Sequence, residues 1–253
     1  MRFVFEFGII FTMKFKFSSE ISGLKEVAAS VASDGDIATP KGAIFDQDGL
    51  LFDTEVIFEQ GWIKAGEKFG VPIDSKLTHR LCGYGKKELA ATIGEIFPDS
   101  DSEAIGDSAH RFAAEAQLAM KPVMKPGVRE ILSFCRNRGI STAIASSSMR
   151  HLVDHNLKSA GLNDFFDAVV TGRDVVKGKP APDIFLLAAE LIGVPPSDCV
   201  VFEDAFTGIR AAHSAGCRPV LIPDRRAPTP EILKICETFP TLADAIVVFG
   251  GAS

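Results

Sequence analysis

Ala43-Ile44-Phe45-Asp46-Gln47-Asp48-Gly49 is a short apolar run that ends in two carboxylates and a glycine. A run with no polar face reads as a strand buried on both sides, and such strands belong to parallel sheets covered by helices. Residues i and i+2 of a strand point the same way. If that relation persists past the strand end, Asp46 and Asp48 enter one crevice. Two like charges so close repel unless a cation lies between them or one holds a proton. The pattern therefore points to a divalent metal, or to one carboxylate as nucleophile with the other as acid. A plainer reading is an ordinary Asp/Gly turn, and the rest of the chain decides between them.

From about residue 41 the sequence becomes regular. Apolar runs predict strands over 42–45, 140–145, 168–171, 199–202 and 219–222. Helical stretches fall between them over 128–138, 149–159, 183–192 and 208–215, several followed by a glycine that fits a helix stop. The alternation predicts an α/β fold, with a Rossmann-like parallel sheet core and helices on both faces. Ligands of such sheets bind beyond the carboxyl ends of the strands, and Asp46, Ser146, Thr171 and Glu203-Asp204 all fall at that edge.

Residues 57–121 break the rhythm with helices and no convincing strand. Phe58, Trp62, Ala65 and Phe69 make one apolar stripe, expected to be the core of a small bundle. The expected division is an α/β core over 41–56 and 122–248, interrupted by an all-helical cap over 57–121. A cap inserted there hangs over the site and suits a lid. Residues 1–40 are expected to be a weakly ordered N-terminal extension without a catalytic role. Its phenylalanine-rich start carries Glu6 and lacks a clean cleavage pattern, unlike a signal peptide, and it is richer in acids than a transit peptide. Met13 is an alternative start.

Of 253 residues, 46% are hydrophobic and 24% charged, the balance of a soluble globular protein. A formal net charge of −6 argues against a nucleic-acid partner, which would call for a basic face. The five cysteines are scattered and form no CxxC pair, as reduced thiols would be. No apolar stretch approaches the roughly 20 residues of a membrane helix, so no membrane association is expected. The expected compartment is the cytoplasm, with organelle import through residues 1–40 left open, and the expected state is a monomer.

Four segments carry the chemistry: Asp46-Gln47-Asp48-Gly49, Ser146 at a strand end, Lys179 in Gly178-Lys179-Pro180-Ala181-Pro182-Asp183, and Glu203-Asp204 after Val200-Val201-Phe202. Together with Leu50-Leu51-Phe52-Asp53-Thr54-Glu55, this combination resembles the haloacid dehalogenase-like hydrolase superfamily. Within it, the likeness is to the helical-cap branch of sugar-phosphate phosphatases and β-phosphoglucomutase-like proteins. The resemblance covers about residues 41–248.

The resemblance implies that Asp46 attacks phosphorus and becomes an aspartyl phosphate. Asp48 would protonate the departing oxygen and then help activate water. Mg²⁺ would be the cofactor, bound through Asp46, the Asp48 backbone carbonyl and Asp204, with Glu203 acting through water or orienting a ligand. Lys179, Ser146 and Ser147 would bind phosphate, helped by backbone N–H groups at the following helix start. Plainer roles remain open: Lys179 as a solvated loop lysine, Ser147 or Ser148 as a helix cap, Glu203-Asp204 as an acidic helix start. In this branch the cap loop faces the substrate, which places Gly83, Lys86 and Lys87 as substrate-binding candidates, against a solvated helix start. Gln47 departs from the commoner Met or Leu, with little expected effect.

The activity implied is hydrolysis of a small phosphorylated metabolite, a sugar or polyol phosphate. Mutases of this branch typically carry a histidine where this chain has Phe58, which favours hydrolysis over a sugar-phosphate mutase. A catalytically silent sugar-phosphate sensor is the second alternative. True dehalogenases typically lack the acid at Asp48.

Overall fold

The computed structural model describes residues 39–81 and 86–250. The expected extension, residues 1–40, lies outside them except for Thr39 and Pro40. Six parallel strands form one sheet: β1 Gly42–Phe45, β2 Ser141–Ser146, β3 Ala168–Thr171, β4 Cys199–Glu203, β5 Arg218–Leu221 and β6 Glu237–Thr238. Their order is β3-β2-β1-β4-β5-β6, with β1 central. The fold is α/β and Rossmann-like, as the alternation predicted.

Alternate residues of β1 feed the two faces of the sheet. Ala43 and Phe45 join a core with Val128, Ile131 and Leu132 of α5 (Val128–Arg138) and Val153 and Leu157 of α6 (Arg150–Ala160). Ile44 joins the opposite core with Phe185 and Ala188 of α7 (Asp183–Leu191) and Ala211 and Ala212 of α8 (Phe206–Ser214). Every residue of β1 is buried, which explains why its sequence carries no polar alternation. A short helix, α9 (Pro230–Leu233), packs Ile232 with Leu221 of β5 and Ile209 of α8, and Thr229 caps it by accepting from Ile232 N–H.

Between β1 and α5 the chain forms four helices: α1 Glu55–Phe69, α2 Ser75–Leu81, α3 Lys86–Ile96 and α4 Ser102–Ala119. Asp101 caps α4 by accepting from Ala104 N–H at 3.0 Å. These helices bury their own cluster of Trp62, Ala65, Ile73, Leu77, Leu89, Ile93, Ile105 and Ala109. The apolar stripe of α1 is shorter than its sequence suggests. Trp62 and Ala65 are buried, whereas Phe58 lines a cavity and Phe69 is 37% exposed. The buried face includes Gly61 instead, because α4 runs so close that a Cβ there would lie 2.6 Å from Ala109 O.

The chain enters and leaves this helical segment at one place. Phe52 bridges Met124 in antiparallel fashion, Asp53 N–H donates to Val123 O at 2.9 Å, and Lys125 N–H donates to Leu51 O at 2.9 Å.

Candidate active site

The strand order reverses at β1 and β4, and the crevice of an open parallel sheet forms beyond the carboxyl ends of such a pair. Phe45 and Phe202 are in register, so Asp46 and Glu203 leave the sheet side by side. Lys179 comes from the loop between β3 and α7. Its Nζ lies 2.5 Å from Asp46 Oδ1 and 2.5 Å from Glu203 Oε1, and it donates to Ala145 O at 2.9 Å. Three acceptors satisfy an ammonium with three donors. The other Glu203 oxygen accepts from Asp204 N–H at 3.1 Å and Ala205 N–H at 3.2 Å. Two glycines make room for this packing. A Cβ at Gly208 would overlap the Glu203 carboxylate, and one at Gly49, where φ is +81°, would overlap that of Asp204.

Burial governs the charge of these groups. It pushes the Asp46 carboxyl up to about 7; Lys179 opposes the shift, while Glu203 and Asp48 add to it. Asp204 is held well above the usual aspartate range by burial first, then by Glu203 and Asp46. Burial works against the Lys179 ammonium, but the Asp46 and Glu203 carboxylates outweigh it and hold Lys179 above its ordinary value.

Asp46, Glu203 and Asp204 each present a carboxylate oxygen within 4.8 Å of the others. This donor set fits Mg²⁺, which takes hard anionic oxygens. With every acid ionised, Asp46, Asp48, Glu203 and Asp204 bring four negative charges against the one ammonium of Lys179, an imbalance a divalent cation reduces.

The Asp48 carboxylate stands apart from that cluster. Its Oδ2 accepts from Ser148 Oγ at 2.6 Å and from Ser146 Oγ at 3.4 Å, and its Oδ1 is buried without a partner. Ser147 and Ser148 line the cavity, while Ser146 is fully buried and accepts from Ser148 N–H at 3.0 Å. None of the three caps α6, whose first turn follows Met149 with no side-chain cap. Lys179 is enclosed rather than solvated.

Above the carboxylates lies a cavity of about 520 Å³, with Asp46, Asp48, Lys179, Glu203 and Asp204 on its sheet side. Phe58, Glu59 and Trp62 of α1, and His110, Ala114 and Gln117 of α4, form the helical side. The His110 ring meets Phe58 edge-on at 6.3 Å and Trp62 at 6.2 Å. Of the expected cap residues, Gly83 lies outside the described residues. Lys86 and Lys87 open α3, and their side chains lie outside the described ones.

Sequence reading missed Ser148, Gln117 and Arg225. A third serine in a row carries no signal that its hydroxyl meets Asp48. Gln117 looks like a solvated helix residue, yet it is buried. Arg225, in the loop after β5, donates to Glu59 Oε2 at 3.2 Å and lies 3.3 Å from His79 Nδ1. The helical side of a cavity is assembled from residues far apart in sequence, so no local spacing marks it.

A parallel α/β sheet with an acid cluster and a buried lysine at its switch point, roofed by inserted helices, defines an enzyme of the aspartate-centred hydrolase class. The chain belongs to the haloacid dehalogenase-like hydrolases, whose family model matches residues 40–216. It is 34% identical over 178 residues to the phosphorylated carbohydrates phosphatase of Thermotoga maritima, covering 70% of this chain and 82% of that protein. It is 32% identical over 209 residues to Protein SUPPRESSOR OF QUENCHING 1, chloroplastic, of Arabidopsis thaliana. That match covers 81% of this chain but spans only 20% of the Arabidopsis protein. Among solved structures, a β-phosphoglucomutase from Clostridium difficile superposes with a TM-score of 0.65 at 25% identity, covering 81% of this chain and 92% of that one. No helix among the described residues is long and apolar enough to cross a membrane.

Proposed function

We propose that the protein is a Mg²⁺-dependent phosphatase that hydrolyses a small phosphorylated metabolite, a sugar or polyol phosphate, through an aspartyl phosphate on Asp46. The observation that carries this reading is the buried clasp of Lys179 on Asp46 and Glu203, beside the Asp204 carboxylate and under a cavity large enough for a leaving group. The T. maritima relative, a phosphatase of phosphorylated carbohydrates by name, supports the substrate class. The residues divide into an α/β core over 41–56 and 122–248 and a helical cap over 57–121.

An Asp46 carboxylate oxygen attacks phosphorus. The ester P–O bond breaks as Asp48 gives its proton to the departing oxygen. Water then attacks the phosphorus of the acyl phosphate and loses its proton to Asp48, which frees Asp46 and inorganic phosphate. Lys179 keeps one oxygen of Asp46 directed along the sheet edge, and Ser148 holds Asp48 away from the acid cluster. Asp46 and Asp204, with Glu203 beside them, would hold Mg²⁺, which supplies the positive charge that lets a carboxylate approach a phosphate. Phe58, on the cavity wall, has no proton to exchange, which favours hydrolysis over the mutase reading.

The test is phosphate release from a panel of phosphorylated sugars, polyols and nucleotides, with Mg²⁺ or EDTA, for the native chain and Asp46→Asn. Release is expected with Mg²⁺ only, and at least a thousandfold slower in Asp46→Asn, on the order of the loss on removing a catalytic nucleophile. Interconversion of a hexose 1- and 6-phosphate without net phosphate release would replace this reading with the mutase. Ligand binding with no turnover would leave a sensor.

A further inference from the structure

One face of α4 forms part of the cavity roof. His110, Ala114 and Gln117, spaced i, i+4 and i+7, all line it. Gln117 is 4% exposed, and its Nε2 is buried with no hydrogen-bond partner. Folded proteins rarely leave a buried amide unpaired, since burying the group without a partner costs stability. The cavity lining also includes Ala114, Met149 and Leu152, which offer no polar side-chain group. Glu59, an acid of the same roof, is already engaged by Arg225.

We propose that Gln117 hydrogen-bonds an oxygen of the substrate's leaving group and thereby sets which phosphate esters are accepted. The favoured esters carry a hydroxylated chain or ring that extends from the Asp46 edge to α4. This rests on the phosphatase reading and names the residue that reads the leaving group. A cavity of about 520 Å³ is in the range that holds a small organic ligand as well as a phosphate. Phe58 and Trp62 offer apolar ring surface to the carbon skeleton, and the amide of Gln117 can both donate to and accept from a hydroxyl. A substrate without that hydroxyl leaves the buried amide unpaired, so the site discriminates against it.

The test compares native chain and Gln117→Leu in Mg²⁺. It measures kcat/KM on phosphorylated sugars and polyols and on acetyl phosphate, whose leaving group is too short to reach α4, together with a thermal melt. The ratio of kcat/KM for the preferred ester to that for acetyl phosphate is expected to fall about tenfold in Gln117→Leu. The Tm is expected not to fall, because leucine removes an unpartnered polar group from a buried position. Gln117→Met, which keeps the side-chain length, repeats the comparison if leucine packs poorly. An unchanged ratio overturns the assignment. A lower Tm with all substrates slowed alike also overturns it, since a purely structural glutamine would behave so. A native chain that releases phosphate from no compound overturns the phosphatase reading, and this inference with it; release by the native chain confines any failure to Gln117.

Discussion

Asp46 and Asp204 retain protons in the folded chain at a pH where an unfolded aspartate has lost its own. Folding therefore takes up protons between the ordinary aspartate value of 3.8 and about 7. The stability Asp46 contributes is full below that ordinary value and is lost as pH rises through about 7, and that of Asp204 is lost in the same direction as pH rises. Lys179 is also held above its ordinary value of 10.5, so it keeps its proton in both states and its contribution stays constant across the neutral range. The expected outcome is a Tm in EDTA that falls from pH 6 to pH 8. Added Mg²⁺ should raise Tm more at pH 8 than at pH 6, because the cation competes with the protons of its own ligands. A melt series at fixed ionic strength checks this, and a Tm independent of pH with and without Mg²⁺ would rule it out. The acids and Lys179 were legible in the sequence because each ends a strand or sits in a Gly-Lys-Pro turn at the sheet edge. Ser148 and Gln117 were not, because what sets them apart is a partner, or the lack of one, supplied by tertiary packing.

Elements were legible where an apolar run or a helical period marks them. β1 and β3 fall where their apolar runs predicted, and α5 spans the expected residues. β2 and β5 shift by one residue, because their ends include Ser141, Ser146 and Arg218, which backbone pairing recruits and apolar pattern does not mark. β6, two residues with a charged Glu237 at the sheet edge, gave no period to read. Pattern also says nothing of how elements dock. Arg225, from the loop after β5, reaches Glu59 of α1 and His79 of α2. The Arg225 and Glu59 side chains are 18% and 21% exposed, so solvent only partly screens the pair. This contact latches the helical segment onto the loops of the sheet. Arg225→Ala should free it by about 1 kcal/mol, roughly a fivefold faster amide exchange in α1 and α2, with β1 unchanged. Hydrogen exchange read by mass spectrometry separates these segments, and equal rates in both proteins would show that the pair latches nothing.

At the scale of the molecule, the described residues sort their apolar clusters without mixing. The cores on the two faces of the sheet draw nothing from residues 57–121, and the cluster of α1 to α4 draws nothing from outside them. The segment leaves and returns through adjacent backbone at Phe52 and Met124, so a short connection can replace it without stretching the sheet. Asp46, Asp48, Lys179, Glu203 and Asp204 all belong to the sheet and its loops, while Phe58, Trp62, His110 and Gln117 belong to the helices. On the proposed reading, chemistry and recognition are carried by separate parts of the chain. Replacing residues 57–121 by a short Gly/Ser linker should leave an α/β body that melts in one cooperative transition by circular dichroism. It should also erase the preference among phosphate esters, because the roof that reads the leaving group is gone. A chain without a cooperative melt would show that the sheet depends on the helices for its stability. A folded body that keeps its preference would move recognition from the roof to the sheet edge.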